Sequence, residues 1–188
     1  DNDCDGDVDC YDIGDCNDDP ACGGCENATC NSDCRAAGWA GGSCVSGACQ
    51  CTNDCVSTST CHSGQICYRG ECQPPWGNSF TFIIREGEVP SGDWDTGSNP
   101  DPKACLYVDG TACCTAEASD TWFPTWNKEC TFTVDSGSTW SMTLYDVDIT
   151  FDDTICNWSE GPLTIDYFLS GGGTFTYLDG FVAVDIRW

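Results

Sequence analysis

Basic side chains are almost missing from this chain of 188 residues, which has six Lys and Arg together and one histidine, His62. Set against 31 Asp and Glu they leave a net charge of −25, so phosphate backbones are repelled and nucleic acid is not an expected partner. A single histidine supplies little acid–base equipment near neutral pH. No Ser/His/Asp or Cys/His constellation can be assembled, and a carboxylate pair for glycoside hydrolysis could be picked from so many acids by chance, so the chain is expected not to be an enzyme. Long apolar runs are missing too. None approaches the ~18–20 residues of a membrane span, and nothing resembles a signal peptide, so the sequence reads as a mature chain or a fragment of a longer one.

Cysteine is abundant by contrast, with 19 residues or about a tenth of the chain. Such density marks a disulfide framework, and disulfides persist outside the reducing cytosol, so an extracellular or cell-surface location is expected. Fourteen of the cysteines fall in residues 1–72 and five in the remaining 116, with the change near Gln73-Pro74-Pro75-Trp76. Upstream, apolar residues are too sparse for a core, and modules of that kind must be stapled. Downstream, Phe80 to Ile84, Cys130 to Val134 and Phe181 to Ile186 are rich in Thr, Val, Ile and aromatics and read as strands. The expected fold is mainly β, with a C-terminal antiparallel sandwich over 76–188 preceded by an acidic loop (1–24) and two small disulfide modules (25–52 and 53–75).

The opening segment DNDCDGDVDCYD places Asp1, Asp3, Asp5, Asp7, Asp9 and Asp12 around Gly6. Alternate carboxylates can converge on one hard cation, glycine permits the sharp turn, and the twelfth residue closes the shell, which is the ligand spacing of a calcium loop. Nine Asp without one Lys or Arg fall in the first 22 residues and would repel one another unless neutralised. Asp15, Asp18 and Asp19 could serve a second ion. Cysteines at 4, 10, 16 and 22 stand where an EF-hand has helices, and the segment resembles thrombospondin type 3 repeats and the Asp/Cys-rich metal-binding repeats of bacterial secreted proteins.

In the middle, Cys30 and Cys34 are one helical turn apart, and Cys49 and Cys51 are two apart in a strand, so each pair shares a face. A helix and a strand of this kind can be joined by two parallel disulfides. The segment CENATCNSDCRAAGWAGGSCVSGACQC is similar to the cysteine-stabilised αβ family of defensins and toxins, which implies the pairs Cys25–Cys44, Cys30–Cys49 and Cys34–Cys51. Membrane-active defensins are usually cationic, whereas Arg35 is the segment's only basic residue, so a spacer role is favoured. Residues 55–72 are similar to four-cysteine repeats of extracellular proteins. Zinc held by His62, Cys61 and the Cys22–Cys25 pair is the rival reading, disfavoured by the oxidising context.

In the C-terminal part, Asp109-Gly110 suits a two-residue type I′ hairpin. Counting outward from it puts Cys105 opposite Cys114 in a non-hydrogen-bonded pair, within reach of a disulfide. That leaves Cys113, Cys130 and Cys156, an odd set, so at least one cysteine is free or bonded outside the chain. The order DWDTGSNPDPKACLYVDG, TWFPTWNKECTFTV, WSMTLYDVDITFDDTIC resembles the C2 domain family over about residues 78–188. The resemblance implies an eight-stranded β-sandwich that binds Ca2+ between loops at one end. Its ligands would be Asp95 and Asp101 in the first loop and Asp146, Asp148 and Asp153 in the third, with Asp152 an alternative to Asp153. Two carboxylates of an Asp-x-Asp stretch leaving a strand can reach one ion, which agrees with this. Trp94, Ile149 and Phe151 lie in or beside these loops, and Trp126 in the Phe123-Pro124-Thr125-Trp126-Asn127 corner is expected to anchor the core.

Lipid-binding members of that family often present a basic strand, whereas only Arg85, Lys103, Lys128 and Arg187 are present here, which disfavours anionic membranes. The expected function is that of a calcium-binding structural or adhesion protein, the subunit of a fibre or matrix, with other copies of itself or extracellular surface molecules as partners. The alternative is a calcium-dependent lipid- or glycan-binding module. The sequons at Asn27 and Asn157 permit N-glycosylation.

Overall fold

The computed structural model describes residues 25–92, 94, 98–148 and 152–188. The N-terminal loop with Asp1, Asp3, Asp5, Asp7, Asp9 and Asp12 lies outside these residues, as do Asp95, Ile149 and Phe151. The chain divides into two compact units at Pro74 and Pro75.

The first unit opens with helix α1 (Asn27–Ala36), followed by the hairpin of β1 (Gly41–Val45) and β2 (Ala48–Thr52). Ser46 and Gly47, both at positive φ, form the two-residue turn between the strands. One helical turn separates Cys30 from Cys34, so both point to the hairpin and are buried. The structure holds Cys25–Cys44, Cys30–Cys49 and Cys34–Cys51 as disulfides. Gly42 passes directly over them, and a Cβ there would lie 3.0 Å from the Cys30 Sγ and nearer still to the Cys34 Sγ. A short 3-10 turn at Thr58–Thr60 then leads to the hairpin of β3 (Ile66–Tyr68) and β4 (Glu71–Gln73), stapled by Cys55–Cys67 and Cys61–Cys72. The buried apolar residues described in this unit are Cys30, Cys34, Ala40, Ile66, Tyr68 and Cys72, so half of its small core is cystine.

The second unit is built from β5 (Asn78–Glu88), β6 (Pro102–Val108), β7 (Thr111–Cys114), β8 (Thr125–Val134), β9 (Thr139–Asp146), β10 (Asp153–Pro162), helix α2 (Ile165–Ser170), β11 (Gly172–Tyr177) and β12 (Gly180–Arg187). These strands form two four-stranded antiparallel sheets, in the orders β10-β9-β6-β7 and β11-β12-β5-β8. Alternation along the strands carries one set of side chains toward the space between the sheets. Ala104, Leu106 and Val108 of β6, Trp140, Met142 and Leu144 of β9, and Val182, Val184 and Ile186 of β12 all point inward. Trp140 joins the layers, its ring 4.7 Å from Phe175, 6.4 Å from Phe82 and 4.6 Å from Tyr167 of α2. Trp158 adds a polar tie, donating from Nε1 to the Thr176 carbonyl at 2.7 Å. The connections β5–β6, β7–β8, β9–β10 and β11–β12 all lie at one end of the sandwich, as the alternating direction of successive strands requires.

Asp109 and Gly110, at φ 49° and 77°, form the turn between β6 and β7, and Cys105 pairs and bonds with Cys114. The Asp109 carboxylate also accepts the Ser138 hydroxyl at 2.6 Å and the Thr139 N–H at 2.9 Å, clasping the neighbouring β8–β9 turn. Of the remaining cysteines, Cys113 bonds Cys130, linking edge strand β7 of one sheet to edge strand β8 of the other, and Cys156 is buried and free.

Trp126 corrects the expectation of a core anchor. It is half-buried against Gly87, because the left-handed Asn127 and the register shift between Ile84 and Glu86 break the alternation that carries Cys130, Phe132 and Val134 inward. A second irregularity, between Thr154 and Cys156 in β10, brings two successive residues, Ile155 and Cys156, into the interior. Burial pushes the Cys156 thiol above its ordinary pKa, so at neutral pH it is a protonated, weakly nucleophilic thiol. Iodoacetamide at pH 8 is therefore expected to leave the Cys156 peptide unmodified in the native chain and to alkylate it fully in guanidinium. Rapid native labelling in a peptide map would contradict the burial.

Candidate metal centre

Asp146 ends β9 in the same phase as Trp140, Met142 and Leu144, so the alternation that builds the core also carries a carboxylate to the interior side of the strand end, at 0% exposure. A buried carboxylate requires compensation. The Asp101 N–H donates to its Oδ1 at 2.7 Å, and the Asp101 carbonyl accepts the Val147 N–H at 3.1 Å, which fastens the β5–β6 loop to the β9–β10 loop. Asp153 begins β10 directly opposite Asp146 in the register and is exposed, as is Asp152 before it. Asp148 is half-buried in the same loop.

Three further residues complete this end of the sandwich. The Asp101 Oδ1 accepts the N–H of Asp120, which stands in the left-handed region at φ 54° in the β7–β8 loop. The Asp120 Oδ1 accepts the Asn99 N–H at 2.9 Å, and the Trp122 Nε1 donates to the Asn99 Oδ1 at 2.7 Å. Asp101 is thus tied to both other loops. Aspartate tolerates positive φ better than most residues, and this is the only local signal that marks Asp120 in the sequence. In the fourth connection, the Asp179 Oδ1 accepts the Ser91 N–H at 3.1 Å. The Asp179 carboxyl lies below its ordinary range, chiefly through the Ser91 hydroxyl. Trp94 donates from Nε1 to the Pro90 carbonyl at 2.8 Å, which binds the ring to its own loop.

The structure therefore brings Asp101 and Asp146 into contact, adds Asp153 through the register and Asp148 through the chain, and leaves Asp95 outside the described residues. No three carboxylates among the described residues have oxygens within 4.8 Å of one another; the groups that do so are Cys25/Cys30/Cys44, Cys30/Cys34/Cys49 and Cys55/Cys61/Cys72. All of these sulfurs are committed to disulfides, and zinc needs thiolates, so the zinc reading fails, with His62 exposed. At the loop end the donors are all oxygen and one carboxylate is buried, a set that fits a hard divalent cation such as Ca2+. The sequon residues stand elsewhere. The Asn27 Oδ1 accepts the Cys44 N–H at 2.7 Å, and the Asn157 Oδ1 accepts the Thr143 hydroxyl at 3.3 Å.

No protein-family model matches the sequence, and neither does any curated protein sequence. Similar solved structures include C2 domains. The calcium-bound pair of C2 domains from extended synaptotagmin 2 is 17% identical, with a TM-score of 0.49, over 60% of this chain and 45% of that one. A structure described as a C2 domain is 15% identical, with a TM-score of 0.42, over 59% of this chain and all of that one. Human GIVD cytosolic phospholipase A2 is 23% identical, with a TM-score of 0.49, over 58% of this chain but only 16% of that one. The presence of an enzyme among the similar structures overturns the expectation that the chain is not one. The physical reason is that a scarcity of histidine excludes little, since carboxylates, hydroxyls and metal-bound water also carry catalytic chemistry.

Proposed function

We propose that this chain is a calcium-binding structural or adhesion protein of an oxidising, extracellular setting, with the ion held at the loop end of the sandwich. The observation that carries this reading is the fully buried Asp146 carboxylate, bound to the Asp101 N–H and flanked in the register by Asp153. Asp101, Asp146, Asp148 and Asp153, with Asp95, would hold the ion, and Ca2+ would supply the charge that lets several acids stand together in a chain of net charge −25. Asp1, Asp3, Asp5, Asp7, Asp9 and Asp12 would hold another. Seven disulfides among the described residues support the oxidising setting, and no described helix is long and apolar enough to cross a membrane. The partners are other copies of the chain or extracellular surface molecules, and mass photometry with and without Ca2+ tests the first of these.

An ion bound only by the folded state stabilises it by mass action, by about 2.7 kcal/mol at a hundredfold excess over Kd. For the whole chain, adding EDTA to calcium-saturated protein is expected to lower the melting temperature of the sandwich by about 5–15 °C. Asp146→Asn with Asp148→Asn should abolish that shift, together with the Tb3+ luminescence sensitised by Trp122 and Trp94 beside the loops. A shift that survives in the double variant places the ion elsewhere.

A further inference from the structure

The outward face of the sheet β10-β9-β6-β7 carries a groove of about 320 Å³ lined by Tyr107, Ser141, Thr143, Tyr145, Thr154 and Asn157. These residues come from three strands and meet only because the register sets Tyr107 opposite Ser141, Tyr145 opposite Thr154 and Thr143 opposite Asn157. None of them is charged, in a chain with 37 Asp, Glu, Lys and Arg (31 acidic and 6 basic). Thr143 forms the floor at 6% exposure, although it lies on the outer face. Its hydroxyl donates to the Asn157 Oδ1 at 3.3 Å, and the Tyr107 and Tyr145 hydroxyls stand 3.4 Å apart. The hydrogen bond to Tyr145, followed by burial, holds the Tyr107 hydroxyl above its ordinary pKa, so it remains a neutral O–H group.

This lining has the chemistry of a polyol site. Two tyrosines offer apolar ring faces with polar tips, the Ser141 and Thr154 hydroxyls can each donate and accept, and the Asn157 amide adds two donors. A sugar ring presents the same mixture, with C–H faces and a rim of hydroxyls. The volume lies at the lower end of the ~300–1,000 Å³ usual for small-molecule sites, enough for one or two rings. An anionic headgroup finds no partner in the lining. Lys103, opposite Tyr145, is the one basic residue at its border by register, and Asp153 stands beside Thr154. We propose that this groove binds a neutral saccharide. None of its six residues is a candidate metal ligand, so the proposal stands or falls separately from the calcium reading.

The test uses the full disulfide-bonded chain made in a bacterial periplasm, in EDTA so that a metal at the loop end plays no part. Saturation-transfer NMR with cellobiose, chitobiose, lactose and mannobiose is expected to show transfer to at least one of them. Tyr107→Phe with Tyr145→Phe keeps the rings and removes both hydroxyls, and should weaken that binding roughly tenfold at an unchanged melting temperature. Asn157→Asp, which places a charge in the groove without changing its shape, should do the same. Silence from all four sugars at about 20 mM, or binding that ignores both variants, overturns the proposal. So does calcium-independent binding to phosphoinositide vesicles that these variants abolish, since the groove would then be an anion site.

Discussion

Reduction of the disulfides is expected to unfold residues 25–73 and to leave the sandwich of residues 78–187 folded. Of the buried apolar residues described, six lie in the first unit and twenty-four in the second. Three of those six are cysteines, so reduction removes the covalent frame around which the few apolar groups gather. The disulfides that tie Cys30 and Cys34 of α1, and Cys25 just before it, to the β1–β2 hairpin span 17 to 19 residues, for which chain entropy gives about 3 kcal/mol each. Losing three such terms exceeds any stability that Ala40, Ile66 and Tyr68 could supply. The sandwich loses only Cys105–Cys114 and Cys113–Cys130, both at one edge, and keeps a continuous aromatic core. Hydrogen exchange with mass spectrometry, before and after dithiothreitol, reads both units in one sample. Protection of α1 that persists after reduction, or loss of both units together, would contradict this account.

Trp140→Ala should have the largest effect of any single change in the sandwich. The ring is 2% exposed and packs against Phe82 and Phe175 of the opposite sheet and Tyr167 of α2, so its removal empties the space between the layers. Truncations of this kind cost about 3–5 kcal/mol, which corresponds to a fall in melting temperature of order 10–20 °C for a unit of this size. Trp126→Ala, half-buried on edge strand β8, should lower the melting temperature by less than half as much. Calorimetry of the two variants side by side settles the order, and the reverse ranking would make Trp126 the anchor after all.

What is legible in the sequence depends on how far the determining contact lies along the chain. The Asp109-Gly110 turn fixes its own register, so the Cys105–Cys114 pair can be counted off from four residues. Helical and strand periodicities place Cys30 with Cys34 and Cys49 with Cys51, whose partners then follow from a resemblance. Cys113–Cys130 could not be counted in this way, because it depends on which edge of one sheet overlies which edge of the other. Asp146 and Asp101 were visible as acids in loops, but the burial of one and its bond to the other's backbone belong to the packed sandwich. Asp120 carries no such signal, because its role rests on a left-handed backbone and a bond to Asp101 across nineteen residues. The place of Trp126 depends on a bulge that changes the phase of its strand, which alternation alone does not reveal. The six residues of the outer groove are ordinary one by one and acquire meaning only through the register of three strands.

The pairing of β5 with β12 has a mechanical consequence. Thr81 faces Arg187 and Glu88 faces Phe181, so the start of β5 and the end of β12 lie side by side, at the end of the sandwich away from the four acidic loops. Tension entering at residue 78 and leaving at residue 187 would load the ladder bonds between these strands one after another, as in a zipper, rather than all at once as in shear. Resistance to pulling would be low, and the first bonds to part would be those farthest from Asp101 and Asp146. Force applied along the chain would thus begin to open the sandwich while the arrangement of its loop end is still intact, a sequence of events that optical-trap stretching in the presence and absence of Ca2+ can observe directly.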